Sequence, residues 1–334
     1  MEKPKTLLSV SSDTEVLDWD LAPQKFCVAG LIPKGLSILG GAPKIGKSWF
    51  VLDLCLRVSR GEPFLGQKTL QGETLYLCLE DTPDRLHYRL ACLVDEGTGK
   101  AHFVTAAGKL TDDLEEQILD FIRVYPETVL IVIDTFQMVR GHTREPSYAG
   151  DYEDFSRLKR LADSQRVSIL LVHHLRKQTD NDPLNKLSGT TGISGAVDGV
   201  LVLDKKDRLQ NEATLIYSGR EGVQRKLELR FSSEKCIWEL VSDNLVPAEK
   251  RIPPEMVAFV EFMEEIGFYF GSNTDLAERF NAYSGMNISP KGLKQAMNRC
   301  AYPLQELGVT FRSRRSNGQR LVEVQYSAGS DASD

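Results

Sequence analysis

The apolar positions along this chain change rhythm twice. Between residues 36 and 204 they come as short, nearly continuous runs: LSILG (36–40), TLYLCL (74–79), TVLIVID (128–134), VSILLVH (167–173) and GVLVLD (199–204). Runs of that length and content predict strands of a parallel sheet covered on both faces. Segments with helical spacing separate them: Ser48 to Arg60, stopped by Gly61 and Pro63, then Asp84 to Val94, Asp113 to Val124 and Asp151 to Gln165. Three more β-rich runs, ATLIYS (213–218), KLELRF (226–231) and CIWELV (236–241), follow with short connections, which predicts antiparallel hairpins at one edge. The expectation is one α/β domain over 26–243, with a mainly parallel central sheet and antiparallel edge strands. Residues 1–25 are polar without clear periodicity and read as an N-terminal arm.

The second change falls at 244–256, NLVPAEKRIPPEM, where three prolines and mixed charges mark a linker. Beyond it, Val257 to Ile266 reads as a helix. Thr274 to Phe280 reads as a second, capped by Ser272 or Asn273. Ser289 to about Ala301 reads as a third, with Ser289 as cap, Pro290 in the first turn and Pro303 to end or kink it. Asn317-Gly318 then sits between two strand-like runs, a strong hairpin signal. Three helices and a hairpin over 257–326 give a small α+β winged helix-turn-helix domain. The last residues, 327–334, read as a disordered tail.

Composition narrows this picture a little. The 334 residues, 41 % hydrophobic and 26 % charged, suit a globular chain with one large and one small domain. No apolar run is long enough to span a bilayer, and the N-terminus lacks the apolar stretch of a signal peptide. A cytoplasmic protein with no membrane partner is expected. None of the six cysteines pairs at C-x-x-C spacing, so reduced thiols are expected and zinc is not. Net charge is -6, so any nucleic-acid contact must use a local basic patch.

The candidate chemistry starts at residue 41. Gly41-Ala42-Pro43-Lys44-Ile45-Gly46-Lys47-Ser48 is a complete G-x-x-x-x-G-K-[ST] between an apolar strand and a helix with Trp49 in its first turn. Backbone amides of such a loop point at phosphates. Lys47 is expected at the β- and γ-phosphates and Ser48 on magnesium. Lys44 occupies a position that needs no charge and receives no catalytic role. Asp134, closing a strand as in a Walker B motif, is the second magnesium residue. Thr135 rather than Glu follows it, so the base that activates water must come from elsewhere. Glu80, at the end of a core strand taken to neighbour the phosphate loop, is assigned that role, with Asp81 as fallback. His173-His174 ends the next core strand. Both remain candidates for sensing the γ-phosphate, with His174 placed in the site.

GAPKIGKS (41–48), LYLCLED (75–81), VLIVIDT (129–135) and LLVHH (170–174) together resemble the RecA-like ATPases, within them the hexameric-helicase branch of RepA and DnaB. The resemblance covers roughly 26 to 241. It implies ATP and magnesium as ligands, a homo-oligomer, in this branch a hexamer, and a neighbour's arginine in each site. Arg220 in IYSGREG matches that arginine finger; Ser218 stands where relatives often carry Lys, and Arg225 or Lys226 remain alternatives. The resemblance also implies two loops facing single-stranded DNA in a central channel, 140–152 and 176–195, the latter with Arg176, Lys177 and Lys186.

In the small domain, Lys291, Lys294, Gln295 and Asn298 share one helical face, opposite Leu293, Ala296, Met297 and Cys300. The hairpin adds Arg312, Arg314, Arg315 and Arg320. Residues 289–326 hold seven basic side chains against two acidic, net +5 in an acidic protein. A basic recognition helix and wing suit duplex or forked DNA. The expected function is an ATP-driven DNA motor, a RepA-like helicase or replication ATPase of a plasmid, phage or mobile element. The alternatives are an initiator-type switch that does not unwind DNA and a recombinase-like filament.

Overall fold

A computed structural model describes residues 10–17, 26–141, 148–174, 196–205, 207, 210–220, 224–246, 248–316 and 319–327. The chain forms two compact units, Gln24–Leu245 and a second composed of Met1–Pro23 with Val246–Asp334. No described helix is long and apolar enough to cross a membrane.

The first unit is built on a nine-stranded sheet. After a small antiparallel pair, β1 (Phe26–Val28) and β2 (Ile32–Pro33), come β3 (Gly35–Gly41), β4 (Glu73–Cys78), β5 (Ala101–Val104), β6 (Thr128–Asp134), β7 (Ser168–His174), β8 (Gly199–Asp204), β9 (Glu212–Gly219), β10 (Gln224–Ser232) and β11 (Ile237–Asp243). The sheet order is β11-β10-β9-β8-β3-β7-β6-β4-β5. The strands from β8 to β5 run parallel, and β8 to β11 pair antiparallel along one edge. Every apolar run singled out in the sequence is a strand.

Helices cover both faces of this sheet, which is why its central strands are apolar at nearly every position, with Ser37, Thr74 and Ser168 among the buried exceptions near their starts. Residues alternate between two cores with the period of two that a pleated strand imposes. Leu39, Tyr76, Val132 and Val172 pack on one face with α2 (Lys47–Arg60). Leu86 and Leu90 of α3 (Pro83–Leu93) pack against the same cluster. Ile38, Leu77, Ile133 and Leu171 face the other way, toward α4 (Leu114–Val124), α5 (Phe136–Val139) and α6 (Tyr148–Gln165). Helix α2 ends where the sequence says: Gly61 takes the left-handed conformation (φ 73°) and its N–H closes onto Arg57 and Val58 carbonyls.

An arginine is also found inside this packing. Arg225 on β10 is among the largest fully buried side chains. Its Nη1 donates to the Gly30 carbonyl at 3.0 Å, in the turn between β1 and β2, and its Nη2 pairs with Asp243 on β11. The guanidinium thus ties the small hairpin to the antiparallel edge. It is withdrawn from solvent and committed, so it is not available to a neighbouring subunit. Removing it would leave the Asp243 carboxylate without its cation. Arg225→Ala is therefore expected to lower the unfolding free energy by about 3–5 kcal/mol, read from urea unfolding by circular dichroism. The double substitution with Asp243→Ala should cost less than that single one.

The second unit holds a short helix, α1 (Asp13–Leu17), within the stretch read as an N-terminal arm. Ser12 and Glu15 cap it reciprocally: the Glu15 N–H donates to Ser12 Oγ (3.2 Å) and the Ser12 N–H to Glu15 Oε2 (2.7 Å). Then come α7 (Ala248–Arg251), α8 (Pro254–Ile266), β12 (Phe268–Ser272), α9 (Asn273–Ser284), α10 (Pro290–Arg299), α11 (Ala301–Glu306), β13 (Val309–Ser316) and β14 (Gln319–Tyr326). The three strands form an antiparallel sheet in the order β12-β14-β13. Phe259, Phe280, Leu293, Met297 and Val324 are part of its core. Ser272 caps α9 and Ser289 caps α10, each side chain accepting a backbone N–H three residues on. Pro303 does not end α10. The break falls at Cys300, and Pro303 occupies the first turn of α11, where a missing N–H costs little. Asn317-Gly318 lies outside the described residues.

Candidate active site

The phosphate loop leaves the end of β3 and closes onto α2 through two glycines with no room for a side chain. A Cβ on Gly41 would meet the Leu203 carbonyl at 3.0 Å and Lys47 at 3.2 Å; one on Gly46 (φ 103°) would meet the Trp238 ring at 3.1 Å. Trp238 Nε1 donates to the Gly46 carbonyl at 3.2 Å, so β11 steadies the loop from the side. Pro43 and Lys44 are exposed at its tip, Lys44 in the left-handed region (φ 63°), while Ile45 is buried beneath. Trp49 is half-buried, with the Arg89 guanidinium 5.5 Å from its ring centre.

Parallel register brings the other candidates to the same edge. Gly41 pairs with His174, Asp134 with Val172, and Cys78 with Asp134, so β3, β7, β6 and β4 all end there. Glu80 does not come from the strand beside the phosphate loop, as the sequence reading supposed: β7 and β6 lie between β3 and β4. The Leu79 N–H donates to the Asp134 carbonyl at 2.8 Å and prolongs that edge by one residue.

Lys47 is the centre of the cluster and only 5 % exposed. Its ammonium donates to the carbonyls of Gly41 (2.8 Å) and Ala42 (3.0 Å) and lies 3.2 Å from His174 Nδ1. That contact makes Nδ1 the acceptor and puts the ring proton on Nε2, which faces Glu80 Oε1 at 3.7 Å. His173 turns to the other side of the strand, its ring 6.3 Å from Phe136. Asp134, also 5 % exposed, accepts from Ser48 Oγ and from the Tyr76 hydroxyl, both at 2.8 Å. Thr135 Oγ1 donates to Glu80 Oε1 at 2.9 Å. The Asp134–Thr135 peptide is cis.

The two buried charges are both pushed toward neutrality. Burial brings the Lys47 ammonium down to about 8, with Asp134 and Glu80 holding it up. Burial raises the Asp134 carboxyl, against the hydrogen bonds from Tyr76 and Ser48. An anion at Lys47 and a cation at Asp134 would relieve both. The Ser48 hydroxyl and Asp134 carboxylate, already in contact, form an oxygen pair of the kind that magnesium takes beside substrate phosphates. The residues therefore fit a magnesium nucleotide.

The acid pair Glu80-Asp81 divides sharply. Asp81 is held by Arg85 at 3.3 Å and by Arg89, and its side chain is buried. Glu80 is half-exposed and faces the cluster. Neither Asp81 nor Asp84 caps α3; Thr82 does, accepting the Arg85 N–H.

Arg220 lies at the opposite edge. Its N–H donates to the Asp198 carbonyl and the Asp198 N–H to the Leu36 carbonyl, at the start of β3. The seven residues of β3 separate it from the phosphate loop, about 20 Å of strand. Lys226, the other alternative, is paired with Glu228 at 2.6 Å. Lys291 is exposed and Lys294 half-buried on α10, with Leu293, Ala296 and Met297 turned inward as expected. Arg312 pairs with Glu323 at 2.6 Å, and Arg314, Arg315 and Arg320 lie on β13 and β14. Arg176, Lys177 and Lys186 lie outside the described residues.

Sequence reasoning missed Tyr76, Thr135 and Trp238 as parts of this site. Thr135 stood beside Asp134 and could have been paired with Glu80; Tyr76 was hidden in an apolar run, and Trp238 is 192 residues from Gly46.

Comparison with known proteins places this edge in a wider setting. Among solved structures, a DnaB-like replicative helicase, described with its interactions with primase, matches with a TM-score of 0.51 at 16 % identity, over 62 % of this chain and 57 % of that one. The chain thus spans little more than half of that helicase's length. A KaiC-like protein from Pyrococcus horikoshii OT3 matches with a TM-score of 0.47 at 15 % identity, over 66 % of this chain and 100 % of its own. No curated protein sequence matches. The AAA_25 family of AAA domains matches residues 2–180, more than half of the chain. The chain therefore belongs to the AAA_25 family, and its fold is that of the RecA-like P-loop ATPases of the DnaB/RepA type.

Proposed function

We propose that this chain hydrolyses ATP with magnesium and uses the energy to move on DNA, as a ring-forming, helicase-type motor. The observation that carries the hydrolytic part is the pair of buried charges, Lys47 and Asp134, that an anion and a cation together would stabilise, with the half-exposed Glu80 beside them. The loop from Gly41 to Ser48 wraps the phosphates with its N–H groups. Lys47 leaves the Gly41 and Ala42 carbonyls for the β- and γ-phosphates. Ser48 and Asp134 hold magnesium, which neutralises charge on the phosphates when bound. Glu80, oriented by Thr135, takes the proton of the attacking water. His174, between Lys47 and Glu80, senses the γ-phosphate.

The transition-state charge needs a further cation, and Arg220 cannot supply it to its own site across the length of β3. It serves a neighbouring subunit, so the site is complete only in an assembly, a hexamer in the reading favoured by the DnaB-type fold. DNA contact falls to the basic face of Lys291 and Lys294 and to the arginines of the β13–β14 hairpin, the wing of a winged helix. Arg176, Lys177 and Lys186 are proposed to meet single-stranded DNA in the channel. A cytoplasmic replication ATPase of a mobile element, phage or plasmid is the biological setting that fits.

The test is ATPase activity of the full chain with and without single-stranded DNA, run with sizing of the assembly and a strand-displacement assay. Stimulation by DNA, a closed oligomer and ATP-dependent displacement are expected. Turnover without displacement or translocation would favour the switch, and open filaments the recombinase-like alternative.

A further inference from the structure

We propose that Asp198 is the positioning residue of the Arg220 finger, and that Lys159 keeps the finger's charge available to the neighbouring subunit. The inference rests on the reading of Arg220 as a finger and adds what holds it.

Asp198 immediately precedes β8 and is 8 % exposed. Its two carboxylate oxygens have different employment. Oδ2 accepts the Leu36 N–H at 2.9 Å and the Lys159 ammonium at 2.9 Å. Oδ1 faces Arg220 Nη1 at 3.4 Å. Gly35 makes the approach possible, since a Cβ there would lie 2.1 Å from Oδ2. The carboxylate is thus fixed by one strand and one helix, while its second oxygen is offered to the arginine. The Arg220 backbone is tied to the same residue, its N–H donating to the Asp198 carbonyl at 2.9 Å. Both root and head of the finger are referred to one buried group, yet the arginine side chain remains 60 % exposed. It is held in direction and left open at its tip.

Charge explains why Lys159 belongs to the device. A lone aspartate beside the finger would cancel the positive charge that the transition state requires. Lys159 on α6 balances Asp198, so the three groups together keep one net positive charge, and it sits on the exposed member. Lys159 also pairs with Asp163, which anchors it to its own helix; that carboxylate is 53 % exposed, so water screens it and it offsets less of the charge than the buried Asp198 does.

The test compares kcat and KM for ATP of the assembled full chain as wild type, Asp198→Asn, Lys159→Gln, Arg220→Ala and Asp198→Asn/Arg220→Ala. Asp198→Asn and Lys159→Gln should each lower kcat about tenfold, with KM within twofold and assembly size unchanged. Arg220→Ala should lower kcat at least tenfold, and the double substitution should be no slower than Arg220→Ala alone. Should Asp198→Asn fail to fold, Lys159→Gln, on a partly exposed side chain, carries the test. Wild-type kcat in both variants, or losses that multiply in the double, would overturn the positioning role. Wild-type kcat in Arg220→Ala would instead overturn the finger assignment itself.

Discussion

Lys47→Ala is expected to weaken ATP binding about a thousandfold and to remove measurable turnover. Opposite unit charges about 4 Å apart attract by roughly 4 kcal/mol at an effective dielectric of 20, and each 1.4 kcal/mol is a factor of about ten. The loss should be larger than for an exposed lysine, because this ammonium is already out of water and bound to the Gly41 and Ala42 carbonyls. Its burial also gives the wild type a pH dependence. With the free-protein ammonium brought down to about 8, phosphate binding above that pH must first restore the proton. Affinity should be full below that pH and weaken as pH rises through it. Isothermal titration at pH 7 and pH 9 reads this directly, and Lys47→Ala should show no such slope. Wild-type affinity in the variant would remove Lys47 from the site.

Glu80→Gln should keep ATP binding and lose hydrolysis, by about a hundredfold to ten-thousandfold. The amide oxygen can still accept from Thr135 Oγ1, so the shape of the cluster is preserved while the group that takes a proton is gone. Binding and single-turnover measurements on the same preparation separate the two effects. Turnover at the wild-type rate would reject Glu80 as the base. Asp81 is a poor substitute, since its buried carboxylate is already engaged by Arg85 and Arg89.

What the sequence made legible follows from how each feature is encoded. The parallel core was readable because strands covered on both faces are apolar at nearly every position. β5 was not, because AHFV is an edge strand of four residues, half-buried and short. β12 was missed for a related reason: Phe268 and Phe270 are exposed while Tyr269 between them is buried, the reverse of what hydropathy suggests for the outer face. The phosphate loop and Asp134 were local patterns and needed no fold to be seen. Which strand Glu80 stands on, and that β7 and β6 intervene, is a fact of sheet order that no local pattern carries. Arg225 was an alternative finger only while it could be thought solvated. Its burial depends on a carbonyl from Gly30, 195 residues earlier.

The indole that donates to Gly46 has a use of its own. Trp238 lies against the phosphate loop, with the Lys205 ammonium 5.2 Å from its ring centre. Indole emission shifts with nearby charge and with the strength of its N–H bond. The protein therefore carries a native optical reporter beside its phosphate loop, and its emission is expected to change when nucleotide is added, without any label.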